Sequence, residues 1–114
     1  MTIESYRFIR HADVLTVELG ERLGMENRQE LKSAVASALD TGARLVRVRF
    51  AAAERSTFVD SSGWGVLVAL SRKAQEAGAR LVLAEVDPGN LEYLALTRLD
   101  GFFRMEAGEE RRAA

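Results

Sequence analysis

The sequence predicts a single α/β domain, and three observations carry that reading. Leu15, Val17 and Leu19 alternate with Thr16 and Glu18, and Val46, Val48 and Phe50 alternate with Arg47 and Arg49, so two segments each offer one apolar and one polar face. Between and after them, apolar residues recur at helical rather than strand spacing. Finally, 114 residues with 47% hydrophobic content suffice for one core and fall short of two ordinary domains.

Each element follows in order. The strands over 14–19 and 45–50 describe a sheet covered on one side. Leu31, Ala34, Val35, Ala38 and Leu39 form the buried stripe of a first helix, for which Asn27 and Glu30 fit a capping box and Gly42 a stop. A strand-like end at Phe58-Val59 runs into Asp60-Ser61-Ser62-Gly63-Trp64-Gly65, where Asp60 is a natural N-cap. The second helix starts there, burying Val66, Leu67, Leu70, Ala74 and Ala77 and leaving Arg72, Lys73, Gln75 and Glu76 wet, until Gly78 ends it at positive φ. Leu81-Val82-Leu83 reads as an inner strand, and Asp87-Pro88 opens a third helix through Leu91, Leu94 and Ala95. Phe102 and Phe103 then return to the core. The domain is expected over 1–106, with 107–114 a frayed, disordered tail of small and charged residues.

Composition narrows the function. Sixteen basic and 17 acidic side chains leave a net charge of −1, so no strong field draws the chain onto nucleic acid or an anionic membrane, and a protein partner is favoured by elimination. There is no cysteine, hence neither disulfide nor thiolate chemistry, and no basic-apolar leader or long apolar span, so a cytoplasmic protein without membrane insertion is expected. His11 stands alone without clustered carboxylates, which argues against a metal site. Neither Ser61 nor Ser62 has an evident base, and Gly63-Trp64-Gly65 lacks the lysine of a phosphate-binding loop. No enzyme, no catalytic residue and no cofactor are expected. Arg7, Arg10, Arg44, Arg47 and Arg49 offer either a basic stripe or a solvated face paired with acids such as Glu18.

Strand-to-helix turns lie at the edge of an α/β sheet, and Ser61 is on one. Taken alone, the motif is a good helix cap. There Gly63 and Gly65 let another backbone approach closely, and Trp64 reads equally as an interface anchor or a ring packed on the core.

The stretch from Phe58 to Gly65 resembles the signature of the STAS domain, the family of anti-sigma factor antagonists and of sulphate-transporter tails. The resemblance extends over roughly residues 10–104, through 14–19, 45–50, the helix at 31–39, 65–83 and the closing segment 87–103. It implies a mixed β-sheet with helices packed mainly on one face. It also implies that Ser61 is the phosphoacceptor, Asp60 the adjacent acid and Ser62 the neighbour that shapes the turn. By the same resemblance, unphosphorylated protein binds an anti-sigma factor serine kinase of the GHKL type and thereby releases a sigma factor, and a PP2C-type phosphatase reverses the modification. The partner surface then comprises Asp60, Ser61, Ser62, Gly63, Trp64 and Gly24. Two features depart from the pattern. Glu21-Arg22-Leu23 is followed by Gly24 where many members have aspartate, and the link over 51–57 is longer than in simple antagonists. The antagonist role goes with a monomer or homodimer; a stressosome-like scaffold and an accessory subunit of a transporter are the alternatives.

Overall fold

A computed structural model describes residues 6–50 and 57–106. Its order is β1 (Tyr6–His11), β2 (Val14–Leu19), β3 (Arg22–Leu23), α1 (Arg28–Asp40), β4 (Leu45–Arg49), β5 (Phe58–Val59), α2 (Ser61–Glu76), β6 (Arg80–Ala84), α3 (Pro88–Thr97), a 3₁₀ turn (Leu99–Phe102) and β7 (Arg104–Met105). Most of the expected link at 51–57 and the whole expected tail at 107–114 lie outside the described residues.

The main sheet is mixed. Its order is β1-β2-β4-β6-β7, with β1 antiparallel to β2 and the other pairs parallel. Parallel neighbours need crossovers, and α1, α2 and α3 lie in the three crossovers linking β2, β4, β6 and β7. A second, two-stranded sheet pairs β3 with β5, Leu23 opposite Val59. It ties the chain before α1 to the chain before α2.

The predicted alternation is what builds the core. Leu15, Val17, Leu19, Val46, Val48, Leu81 and Leu83 share one cluster with Leu31 and Val35 of α1, Leu67 and Leu70 of α2 and Leu94 of α3. The opposite sheet face carries Glu18, Arg47 and Arg49, which form ion pairs rather than a free basic stripe. Arg49 pairs with Glu18 and Glu85, Arg47 with Glu106 at 3.1 Å, and Arg7 with Glu18 at 3.8 Å. The hydrogen bond from Arg49 to Glu85 raises the guanidinium above its ordinary value. Arg47 reaches from β4 past β6 to Glu106, and its register partner in β6, Val82, is buried although outside the core cluster. Arg10 acts elsewhere, its guanidinium donating to Ala12 O and Thr41 O and clipping the end of α1.

Three expectations are corrected. Asn27 makes no capping box. Its side chain turns backward, accepting from Gly24 N at 3.0 Å and donating to Arg22 O at 2.9 Å, so it closes the β3–α1 turn instead of capping the helix. Ala77 is exposed because the helix ends one residue earlier and the chain is already turning at Gly78, φ +76°. Phe102 is 44% exposed, lying under the Arg72 guanidinium at 5.5 Å, whereas Phe103 turns inward. The 3₁₀ turn sends adjacent side chains in opposite directions.

Candidate functional site

Two helix starts meet at one edge of the fold. The β3–turn–α1 segment and the β5–α2 segment are held side by side by the small parallel sheet. Asp60 has extended backbone, φ −83° and ψ 178°, and its Oδ1 accepts from Gly63 N at 2.8 Å, the cap read from the sequence. Ser61 is the first residue of α2 and is exposed. Ser62 is half-buried and accepts a 2.7 Å hydrogen bond from the Arg28 guanidinium.

The two glycines explain why the segments fit. A β-carbon at Gly24 would overlap the Asp60 carboxylate, 2.8 Å from its Cγ, so the space beside Gly24 is filled by Asp60 itself. A β-carbon on Gly63 would strike the Leu23 carbonyl and come within 2.8 Å of Val59 Cγ1. The backbone that Gly63 admits is therefore the chain's own β3, and Gly63 is buried. Gly65 faces open space.

Trp64 is the correction at this site. Only 1% exposed, it stacks on Phe50 at 5.9 Å and on Tyr93 at 5.7 Å, and meets Phe103 at 5.9 Å. Of its two readings the packed ring is the observed one. Trp64 lies one turn further into α2 than the Asp60 cap, where its ring reaches the core while Ser61, at the helix start, stays at the surface. Its Nε1 has no acceptor among the described residues.

A groove of about 490 Å³ runs from Thr57 and Phe58 past Asp60 and Ser61 to Asp87, Gly89, Asn90 and Tyr93. Its far side is fixed by Asn90, which donates to Thr57 O at 2.9 Å and to Asp87 Oδ1 at 2.7 Å. Phe58 and Met25 stand 61% and 69% exposed beside the serine turn, an apolar rim around a polar centre. The structure thus brings Gly24, Asp60, Ser61, Ser62 and Gly63 together and withdraws Trp64. Phe58 arrives with the motif itself, whereas Arg28, Met25, Asn90 and Tyr93 join without a sequence signal, since each meets the serine turn across a long chain separation.

Among the described residues, no group of three or more histidine, cysteine or acidic side chains could hold a metal ion, and no helix is long and apolar enough to cross a membrane. His11 is exposed.

Comparison with known proteins sets this geometry in a family. Residues 7–106 match the family model described as "Mlab, STAS domain". No curated protein matches the sequence. Among solved structures, the anti-sigma factor antagonist SpoIIAA in its unphosphorylated form is similar at TM-score 0.72 and 19% identity, over 93% of this chain and 91% of that one. The phosphorylated form of SpoIIAA, a Bacillus cell fate determinant, has TM-score 0.68 and 19% identity over 95% and 96%. An anti-sigma factor antagonist from Mycobacterium paratuberculosis has TM-score 0.71 and 20% identity over 90% and 84%. What is shared at such identities is the fold. With the family model spanning both halves of the sheet and the serine turn between them, the chain belongs to the STAS domain family.

Proposed function

We propose that this protein is an anti-sigma factor antagonist, a cytoplasmic and non-enzymatic switch controlled by phosphorylation of Ser61. The observation that carries the reading is the exposed Ser61 at the start of α2, beside an Asp60 cap and an apolar rim of Met25 and Phe58. Unmodified, this surface docks a GHKL-type serine kinase that is itself the anti-sigma factor, and the kinase's capture frees a sigma factor. A phosphate on Ser61 adds about −1.5 to −2 charges to the docking centre. Stripping water from such a charge at the interface costs several kcal/mol, and each ~1.4 kcal/mol is tenfold in affinity, so release needs no large change of shape. A PP2C-type phosphatase restores the docking form.

Peptide mass spectrometry of the protein from its native cells tests this, with Ser61→Ala as control. A phosphate on Ser61, lost in the variant, together with kinase binding only by the unmodified form, is the expected result. An unmodified Ser61 under every growth condition overturns it. The second reading, an accessory STAS subunit of a transporter in which the serine belongs only to the cap, is favoured by one observation: the matching family model carries the Mlab description. Co-purification with a transporter ATPase and a persistently bare Ser61 would establish that reading instead.

A further inference from the structure

We infer that Arg28 receives the phosphate on Ser61, exchanging its bond to the Ser62 hydroxyl for a pair with the new dianion. This rests on the switch reading of Ser61.

Gly24 O accepts from Asn27 N at 3.2 Å and from Arg28 N at 2.9 Å, while the Asn27 side chain bonds Arg22 and Gly24. The backbone origin of Arg28 is therefore pinned at the start of α1. Its side chain crosses to α2 and donates to Ser62 Oγ at 2.7 Å, across 34 residues of chain. Among the described residues Arg28 has no acidic partner, whereas its neighbour Arg22 faces Glu26 at 3.7 Å.

Beyond the first-turn amides of α2, the charges around Ser61 leave a dianion in need of a side-chain cation. Asp60 and Asp87 both line the groove, each already accepting from a backbone amide of the helix it caps, and no lysine or arginine among the described residues lines it. A phosphate there has two carboxylates as neighbours. The cation the structure brings to the first turn of α2 is Arg28. Its present acceptor is a neutral hydroxyl, which offers one weak bond; phosphate oxygens match the planar guanidinium fork and accept two charge-assisted bonds. Ser61 and Ser62 are adjacent in the first turn of α2 but point roughly 100° apart, so the transfer takes a swing of the long Arg28 side chain toward the phosphate, with no backbone step required.

The covalent step is an ordinary phosphoryl transfer. A nucleoside triphosphate supplies the γ-phosphoryl group, a bond forms between its phosphorus and Ser61 Oγ, the bond to the departing nucleoside diphosphate breaks, and the hydroxyl proton passes to a base of the kinase. Arg28 takes no part in that transfer. It acts afterwards as a positioning residue: the phosphate is held against the α1–α2 junction, and the Arg28–Ser62 contact is lost, so the modification is read at the first turns of both helices.

The test installs phosphoserine at position 61 during translation, without any kinase, and follows its second ionisation by phosphorus NMR in the full chain. An adjacent guanidinium favours the dianion, so the phosphate pKa in the parent should lie about half a unit below that in Arg28→Gln, with Arg28→Lys between them. Ser62→Ala should keep the low value. Equal pKa values in the parent and Arg28→Gln would overturn the role of Arg28, with unchanged melting of unphosphorylated Arg28→Gln excluding a folding artefact. Because the modification is placed synthetically, that result is distinct from a bare Ser61 in native cells, which overturns the underlying switch reading.

Discussion

Among single residues, the serine turn is organised by a space that two side chains cannot share. Asp60 occupies the position that any β-carbon on Gly24 would need. Gly24→Ala is therefore expected to push Asp60 off Gly63 N and cost about 1 kcal/mol, the usual value of an N-cap, as Asp60→Ala should do directly; urea unfolding of the single and double variants should show the two effects to be less than additive. Trp64 gives a sharper contrast. Trp64→Ala empties a buried aromatic site and should cost about 3–5 kcal/mol in the same measurement, whereas Trp64→Phe should cost clearly less, because the lost N–H had no acceptor among the described residues. Tyr6 supplies the pH dependence. Burial, with Glu30 adding to it, raises its phenol well above the ordinary value of 10, and its hydroxyl donates to Asn27 O at 2.9 Å. A raised folded-state pKa means stability that is complete below the unfolded pKa and is lost above it. Unfolding free energy should thus fall by roughly 1.4 kcal/mol per pH unit above about pH 10 from this group, a slope that Tyr6→Phe removes.

Among the elements, what could be read from the chain was whatever a few consecutive residues settle. The caps at Asp60 and Asp87, the stops at Gly42 and Gly78, the apolar stripe of α1 and that of α2 as far as Ala74 stand where spacing put them. The Asn27-Glu30 pattern did not, because Gly24 N and Arg22 O competed successfully for the Asn27 side chain. α3 shows the same limit: apolar residues recur along its whole length, and only Leu94 is fully buried. Joints between elements depend on side chains with distant partners. Thr57, 2% exposed, donates to Gly20 O at 2.7 Å and also approaches Phe50 O at 3.3 Å, binding the starts of β3 and β5 to the end of β4. Thr57→Val keeps the shape, loses the donor and leaves those carbonyls short of a partner, so a loss of about 1–3 kcal/mol is expected in chemical unfolding.

Across the molecule as a whole, the near-balance of 16 basic and 17 acidic side chains shows as ion pairs on one sheet face. The open sheet face joins Arg7, Glu18, Arg49 and Glu85, and separately Arg47 and Glu106. Such pairs at a solvent-facing sheet surface, from the exposed Arg7 to the largely covered Glu18, are individually weak, so raising sodium chloride from about 0.1 to 1 M should alter the unfolding free energy by less than about 1 kcal/mol. A larger loss would mean that the network carries stability beyond what exposed pairs supply. The α/β class, the strand and helix periods, the caps at Asp60 and Asp87 and the position of the serine turn were all legible in the order of residues, because each is set by chemistry within a turn or two of the chain. That Asp60 fills the place beside Gly24, that Trp64 is packed inside, that Phe103 rather than Phe102 turns inward and that Arg28 bonds Ser62 emerged with the folded chain alone. Those outcomes depend on which distant segments share the same few ångströms, and that is settled by sheet order and packing rather than by local pattern.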